Sequence, residues 1–155
     1  VGSSKTNVNI VRGSTSLFTR EIAMGGKDFT EAIARRLNVS WDEAEDLKRD
    51  PGEGGEVLRE AVFPVIGDLG NEMQLSFDYF ENQFEKEIDR IQVSGGGSRL
   101  ASFVEAFERI FEKPISHFNP FENLTINEDI DADLLSVNAP QLAVAVGLAA
   151  RLKKD

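Results

Sequence analysis

The sequence predicts a mixed α/β fold in which helices cover a sheet and a mainly helical segment is inserted between two groups of strands. Near the start, polar and apolar residues alternate in two short runs, as in a half-buried β-hairpin. In residues 56–84, apolar residues recur at steps of three and four, as on one face of a long helix. After that stretch, short extended runs alternate with helical ones, which is typical of a sheet covered by helices.

The first half begins with the predicted hairpin, whose strands 6–11 and 17–22 flank a turn at Gly13. Capping-box spacing predicts helices that open at Asp28 and at Ser40. A Gly- and Pro-containing break then precedes the long helix 56–84. Gly67 and Gly70 each cost that helix about 1 kcal/mol relative to Ala, which predicts tight packing on their face.

The second half begins with a predicted strand, residues 89–94, that ends at three consecutive glycines. An amphipathic helix over 100–111 and an extended segment over 114–118 follow. Residues 122–138 are acidic and irregular, and we expect a surface loop there. The last prediction is a helix over 139–153 with basic residues, including Lys153, at its negative end.

Bulk composition excludes several classes of protein. The formal net charge of −10 argues against binding nucleic acid, which requires an excess of Lys and Arg. The absence of Cys excludes disulfides and thiolate metal sites, and a single His leaves no His-based metal cluster or Ser-His-Asp set. We therefore predict no catalytic and no metal-binding residues. We expect no signal peptide and no transmembrane segment.

Two glycine-containing turns are candidate ligand sites. The turn at the start of the chain offers hydroxyls and main-chain N–H groups that can approach phosphate oxygens. Its alternative interpretation is an ordinary surface turn. The second turn follows a strand and precedes a helix, so a flat ligand could lie against its bare backbone; the alternative is a tight strand-to-helix connection. The first turn comprises Gly2, Ser3, Ser4, Lys5 and Thr6, and the second comprises Gly95, Gly96, Gly97, Ser98 and Arg99.

Taken in order, these segments resemble the C-terminal half of the actin-like ATPase superfamily, which has a ribonuclease H-like fold. Residues 1–8 are similar to the second phosphate loop of that superfamily, and residues 93–100 to its adenosine motif. Residues 25–29 and 44–49 resemble segments of DnaK-type chaperones. That resemblance implies adenosine contacts from Gly26, Glu45 and Lys48, with Arg99 over the adenine. A plain surface pair is the alternative for Glu45 and Lys48.

Within the superfamily, the chain is most similar to the PilM family of type IV pilus assembly. The likeness runs nearly end to end, through residues 4–13, 17–20, 77–80, 89–91, 119–121 and 143–148. It implies a cytoplasmic protein, held at the inner membrane by partners, that binds ATP with Mg²⁺ between two lobes. It also implies that the tail of a PilN-like protein is bound by an N-terminal half not included here. Other pilus components or self-association are further possible partners.

We therefore expect this chain to be the C-terminal, nucleotide-binding half of a longer protein in which ATP is a conformational ligand. The start at Val1 without Met, and the missing magnesium-positioning Asp before it, suggest a truncated domain. Residues 1–40 and 85–155 would form subdomain IIA, and residues 41–84 a helical subdomain IIB. We expect slow hydrolysis at most in the parent, and neither enzymatic activity nor tight ATP binding in the fragment. The alternatives are a small-molecule kinase and a cell-division actin relative of the same superfamily.

Overall fold

Two small sheets and five helices make up the fold in the computed structural model, which describes residues 1–50 and 52–151. Short 3₁₀ turns cover Gly52–Gly54 and Gly96–Arg99. The elements in chain order are β1 (Thr6–Arg12), β2 (Thr15–Ile22), α1 (Gly26–Leu37), α2 (Trp41–Arg49), α3 (Gly55–Phe84), β3 (Ile91–Val93), α4 (Phe103–Phe111), β4 (Ile115–His117) and α5 (Ala132–Arg151).

The predicted β-hairpin is confirmed. β1 and β2 pair antiparallel in a register that places Thr6 opposite Ile22. Gly13 takes a positive φ of +60° at the turn, a conformation that costs glycine little. The inward residues of the hairpin, including Val8 and Ile22, are buried against the helices.

The second sheet consists of β3 and β4, which pair in parallel with Ile91 opposite Ile115. Parallel neighbours need a crossover, and α4 supplies it between the two strands. Both strands are shorter than the extended runs that the sequence predicts. Within the described residues, no strand pairing joins this sheet to the hairpin.

Helix α3 runs through the middle of the core and packs against α1, α4 and β2. The most deeply buried rings belong to Phe29, Phe103 and Phe107, and Phe29 meets Phe103 edge-on with centroids 6.1 Å apart. Burial of each ring stabilises the fold by about 1.5–3 kcal/mol. The packing predicted at the helix glycines is confirmed at Gly70, where a Cβ would lie 2.9 Å from Ile110 Cδ1. It is wrong at Gly67, where a Cβ would meet nothing within 4 Å.

Three predicted helix boundaries are wrong. Helix α1 begins at Gly26 instead of Asp28. Gly25 is its N-cap, and the Gly25 N–H donates a 2.7 Å hydrogen bond to the Asp28 carboxylate. Helix α4 begins at Phe103 instead of residue 100, because residues 96–99 form a 3₁₀ turn and Ser102 has a φ of +66°.

The third corrected boundary is that of α5, which begins at Ala132 within the predicted loop 122–138. The Leu134 N–H donates to the carboxylate of Asp131 at 3.0 Å, which caps the first turn. Pro140 therefore lies inside the helix and not near its start. The predicted end at Lys153 lies outside the described residues.

Helix α5 is largely exposed and apolar. Ala139 and Pro140 are buried, whereas Val144 and Leu148 are 73% and 56% exposed. Among the described residues, α5 is the one helix long and apolar enough to cross a membrane, judged by length and composition alone. The prediction that the chain has no such stretch is therefore not confirmed.

Candidate functional site

The predicted phosphate turn is tightly formed and docked on the start of α1. The Gly2 N–H donates to the Lys5 carbonyl at 2.9 Å, which closes the turn. The first N–H groups of α1 donate back to it, Gly26 to the Gly2 carbonyl at 2.8 Å and Lys27 to the Ser3 carbonyl at 2.7 Å. The helix start therefore uses these two N–H groups to position the turn.

Gly25, which is not among the site residues predicted from the sequence, permits this docking. A Cβ at Gly25 would lie 2.6 Å from the Gly2 carbonyl oxygen and 2.8 Å from the Lys5 nitrogen. Both are main-chain atoms and cannot move without displacing the turn. The Gly-Gly pair before a capping box is the signal that could have identified this position.

The side chains of the turn have different environments. The Thr6 hydroxyl is buried and donates to the Met24 carbonyl at 2.8 Å, so it fixes the start of β1. Lys5 forms an exposed ion pair with Glu21 at 2.6 Å. Ser3 and Ser4 are exposed, and within residues 1–50 and 52–151 their main-chain N–H groups donate to no acceptor. These two exposed residues thus have no hydrogen-bond partner for their hydroxyls and main-chain N–H groups within the described part of the chain.

The triple-glycine corner lies against the beginning of the chain. The Gly97 N–H donates to the Val1 carbonyl at 3.1 Å, and the Gly95 N–H donates to the Pro140 carbonyl of α5 at 2.6 Å. Gly95 has a φ of +90°, and a Cβ on it would collide with the Val1 carbonyl. Gly95 and Gly97 are therefore required by packing within the chain.

Gly96 and Arg99 are the exposed members of this corner. A Cβ on Gly96 would come no closer than 3.9 Å to any neighbour, the nearest being the Gln141 side chain. The Arg99 guanidinium donates to the Asn138 amide oxygen of α5 at 3.2 Å. Ser98, in contrast, is buried; its hydroxyl donates to the Gly95 carbonyl at 2.8 Å, and its carbonyl contacts His117 Nε2 at 2.9 Å.

A half-buried ionic cluster joins α2 to the start of α1. Lys48 Nζ donates to Glu45 Oε1 and to the Thr30 hydroxyl, both at 2.6 Å, and to the Gly26 carbonyl at 3.0 Å. Thr30 is fully buried and also hydrogen-bonds Glu45. Thr30 is a site residue that no sequence motif marked; it lies four residues after Gly26 and therefore on the same face of α1.

The cluster also changes the acidity of Glu45. Desolvation by burial raises the pKa of this carboxyl, but the hydrogen bonds from Lys48 and Thr30 and the nearby positive charges outweigh it, so the pKa lies below its ordinary value. Glu45 is thus ionised at neutral pH and held in one position. The Glu45–Lys48 pair is more than the exposed surface pair considered as its alternative, because these side chains are only 25% and 16% exposed.

These three segments converge in space. Gly2 and Ser3 bind the start of α1, Lys48 binds the Gly26 carbonyl on the same helix turn, and Val1 binds the glycine corner. The phosphate turn therefore lies between the ionic cluster and the corner. The phosphate turn offers main-chain N–H groups without partners among the described residues, and the glycine corner offers backbone without side chains. Together they suit a ligand that combines an anionic group with a planar ring.

Comparison with known proteins gives a consistent result. Residues 1–153 match the family described as type IV pilus assembly protein PilM. The chain is similar to a solved PilM-PilN type IV pilus biogenesis complex, with 30% identity, a TM-score of 0.89, and coverage of 100% of this chain and 45% of that one. It also resembles the ethanolamine utilization protein EutJ from Carboxydothermus hydrogenoformans, at 19% identity and a TM-score of 0.69, over 96% of this chain and 46% of that one.

Two conclusions follow from these similarities. The actin-like ATPase fold class predicted from the sequence is confirmed, because both solved structures have that fold. The chain spans less than half the length of either solved chain.

Proposed function

Because the chain belongs to the PilM family of type IV pilus assembly proteins, we propose that it is the C-terminal, nucleotide-binding half of an actin-like protein that acts on the cytoplasmic side of the inner membrane. ATP acts in this proposal as a conformational ligand. The observation that carries the proposal is the convergence of the phosphate turn, the Glu45–Lys48 cluster and the glycine corner on one another.

The phosphate turn would bind the charged end of the nucleotide. The exposed amides and hydroxyls of Ser3 and Ser4 are the donors available to phosphate oxygens. Gly2 and Thr6 would act by holding the shape of the turn, since their polar groups already have partners within the chain. Lys5 would reach a phosphate only after leaving Glu21, and an exposed pair of that kind costs little to break.

The other two segments would bind the nucleoside. Glu45 and Lys48 present an ionised carboxylate and an ammonium that are already ordered, and such groups hydrogen-bond ribose hydroxyls well. The exposed backbone at Gly96 leaves room for a planar base, and the Arg99 guanidinium can stack on its face. Gly26, Gly95, Gly97 and Ser98 would contribute by positioning these groups.

We infer that the nucleotide sets the angle between two lobes. The residues described here provide positioning groups, and we assign none of them as the base for hydrolysis; the first phosphate loop and the carboxylate that positions Mg²⁺ would lie outside this chain. Slow hydrolysis in the longer protein is compatible with this role. Residues 1–40 and 85–155 would form one subdomain of the lobe, and residues 41–84 a helical second one.

A PilN-like membrane protein is the partner that we propose, because the similar solved structure is a PilM-PilN complex. We expect its cytoplasmic tail to bind the half of the protein that precedes Val1. The exposed apolar face of α5 belongs to the present half, and we propose that it contacts protein and not lipid. Asn138 and Gln141 in the middle of α5 support this, because polar side chains are costly at the centre of a bilayer.

Calorimetric titration of Mg-ATP into the full-length protein tests the proposal. Gly96→Trp places an indole where the base would lie. The residues around Gly96 leave room for it, because a Cβ there would come no closer than 3.9 Å to any neighbour. We expect at least tenfold weaker binding of ATP, which corresponds to about 1.4 kcal/mol. We expect the variant to lose nucleotide-dependent binding of the PilN-like tail in a pull-down as well.

Gly67→Trp is the matched control. A Cβ at Gly67 would also meet nothing within 4 Å, but Gly67 lies on α3, away from the three segments. The control should bind ATP as the wild type does, and both variants should melt as single cooperative transitions. Normal ATP affinity in Gly96→Trp would contradict the nucleotide site. If the wild-type protein binds ATP but neither it nor any variant binds the tail, the role in pilus assembly would be contradicted and the nucleotide site would not.

A further inference from the structure

His117, the one histidine of the chain, connects the end of β4 to the glycine corner. The parallel pairing of β3 with β4 places His117 opposite Val93, the last residue of β3 before the corner. The Nε2 atom of His117 lies 2.9 Å from the Ser98 carbonyl oxygen. Because a carbonyl oxygen only accepts hydrogen bonds, the imidazole donates from Nε2. A neutral ring is therefore held in the tautomer that carries its hydrogen on Nε2.

Ser98 lies in the middle of this corner, and each of its polar groups has a partner. Its main-chain N–H and its hydroxyl both donate to the Gly95 carbonyl, at 3.2 Å and 2.8 Å. Its carbonyl instead contacts His117, which is 19 residues away on a different element. Since Ser98 is only 1% exposed, solvent has little access to this carbonyl, and loss of the imidazole would leave it unsatisfied.

Main-chain hydrogen bonds to other elements hold the first part of the corner. The Phe118 N–H donates to the Val93 carbonyl at 2.8 Å, and the Gly95 N–H donates to the Pro140 carbonyl at 2.6 Å. The peptide unit that joins Ser98 to Arg99 is linked to another element by the imidazole of His117. The orientation of this peptide unit therefore depends on a side chain and not only on the sheet.

The Arg99 side chain is held less firmly than the backbone that carries it. Its guanidinium donates to the Asn138 amide oxygen at 3.2 Å, and this hydrogen bond is exposed. Water can replace a partner of this kind, so Arg99 can exchange Asn138 for a ligand at little cost. The peptide unit before Arg99 then determines where its guanidinium can reach. A backbone that is already ordered also reduces the entropy lost when a ligand binds.

We propose that His117 is a positioning residue for the adenine base. By holding the Ser98 carbonyl, the imidazole fixes the peptide unit that precedes Arg99. The guanidinium then reaches a base that lies over Gly96 without a change in the backbone. The imidazole acts through Ser98 and Arg99 and does not itself contact the nucleotide. This inference rests on the proposed function, because it concerns the base end of the proposed nucleotide site.

Titration of Mg-ATP into three forms of the full-length protein tests the proposal. His117→Phe keeps a planar ring at this exposed position and removes the donor, whereas His117→Gln returns an amide N–H donor. We expect about fivefold weaker binding of ATP in His117→Phe, and binding within about twofold of the wild type in His117→Gln. Magnesium tripolyphosphate, which lacks ribose and base, is measured by competition with ATP. Its affinity should agree within about twofold in all three forms, and circular dichroism checks that each is folded.

Equal ATP affinity in the wild type and in His117→Phe would overturn this inference and leave the nucleotide site intact. Weaker ATP binding that His117→Gln does not restore, or that tripolyphosphate shares, would also overturn it, because the histidine would then support the fold and not the base. A wild-type protein that binds no ATP would contradict the proposed function itself, and this inference with it. The two failures are therefore separate outcomes.

Discussion

Replacing Gly25 by Ala tests how the phosphate turn is held. The new Cβ would lie 2.6 Å from the Gly2 carbonyl oxygen and 2.8 Å from the Lys5 nitrogen. Ordinary van der Waals contact for such atoms begins near 3.4 Å. Since both atoms belong to the main chain, the turn must move away from α1 by several tenths of an ångström.

This displacement weakens the two hydrogen bonds that dock the turn, from Gly26 to the Gly2 carbonyl and from Lys27 to the Ser3 carbonyl. Each such bond contributes about 1 kcal/mol, and overpacking costs about 1–3 kcal/mol. We therefore expect Gly25→Ala to lower the free energy of unfolding by about 2–3 kcal/mol. For a chain of this size that is a fall in Tm of about 5–10 °C.

Differential scanning calorimetry measures the effect, with Gly67→Ala as the control. Gly67 is an interior position of α3 at which a Cβ meets nothing within 4 Å. Ala there gains about 1 kcal/mol of helix propensity, so the control should melt about 2–4 °C higher than the wild type. A Gly25→Ala protein that melts within about 1 °C of the wild type would refute the reasoning.

Two further variants test side-chain contacts, one within the candidate site and one between the hairpin and α3. Glu45 binds its proton less tightly in the folded protein than in the unfolded chain, so its contribution to stability is complete above its ordinary pKa of 4.5 and is lost as the pH falls below it. Glu45→Gln should therefore flatten the fall in Tm between about pH 5 and pH 3, and an unchanged slope in acid melts would count against the cluster. Arg20 bonds the Glu72 carbonyl and carboxylate and the Ser76 hydroxyl. Arg20→Ala should lower Tm by about 2–4 °C in calorimetry, corresponding to about 1 kcal/mol. An unchanged Tm would mean that these hydrogen bonds between the hairpin and α3 do not stabilise the fold.

Much of the fold could be predicted from the sequence, because local patterns determine it. The hairpin and α3 follow from hydrophobic periodicity, and both are present. The start of α5 was missed because its first turns are acidic and Pro140 resembles a first-turn residue; the cap at Asp131 outweighs both signals. The start of α4 was missed because the positive φ at Ser102 depends on tertiary packing and leaves no pattern in the sequence.

The candidate site was predictable to the level of segments and not of side chains. Glycines and hydroxyls marked the two turns, and the structure brings these turns together through Val1. The partners of individual side chains depend on contacts between distant elements. Arg99 lies against Asn138, and Lys48 binds Thr30, and neither contact follows from spacing along the chain.

The most direct test of the proposed nucleotide site is a structure of the full-length protein with Mg²⁺ and a non-hydrolysable ATP analogue. We expect phosphate oxygens within hydrogen-bonding distance of the Ser3 and Ser4 amides, the ribose beside Glu45 and Lys48, and the base over Gly96. A nucleotide bound elsewhere, or one that contacts the phosphate turn but not the glycine corner, would contradict it.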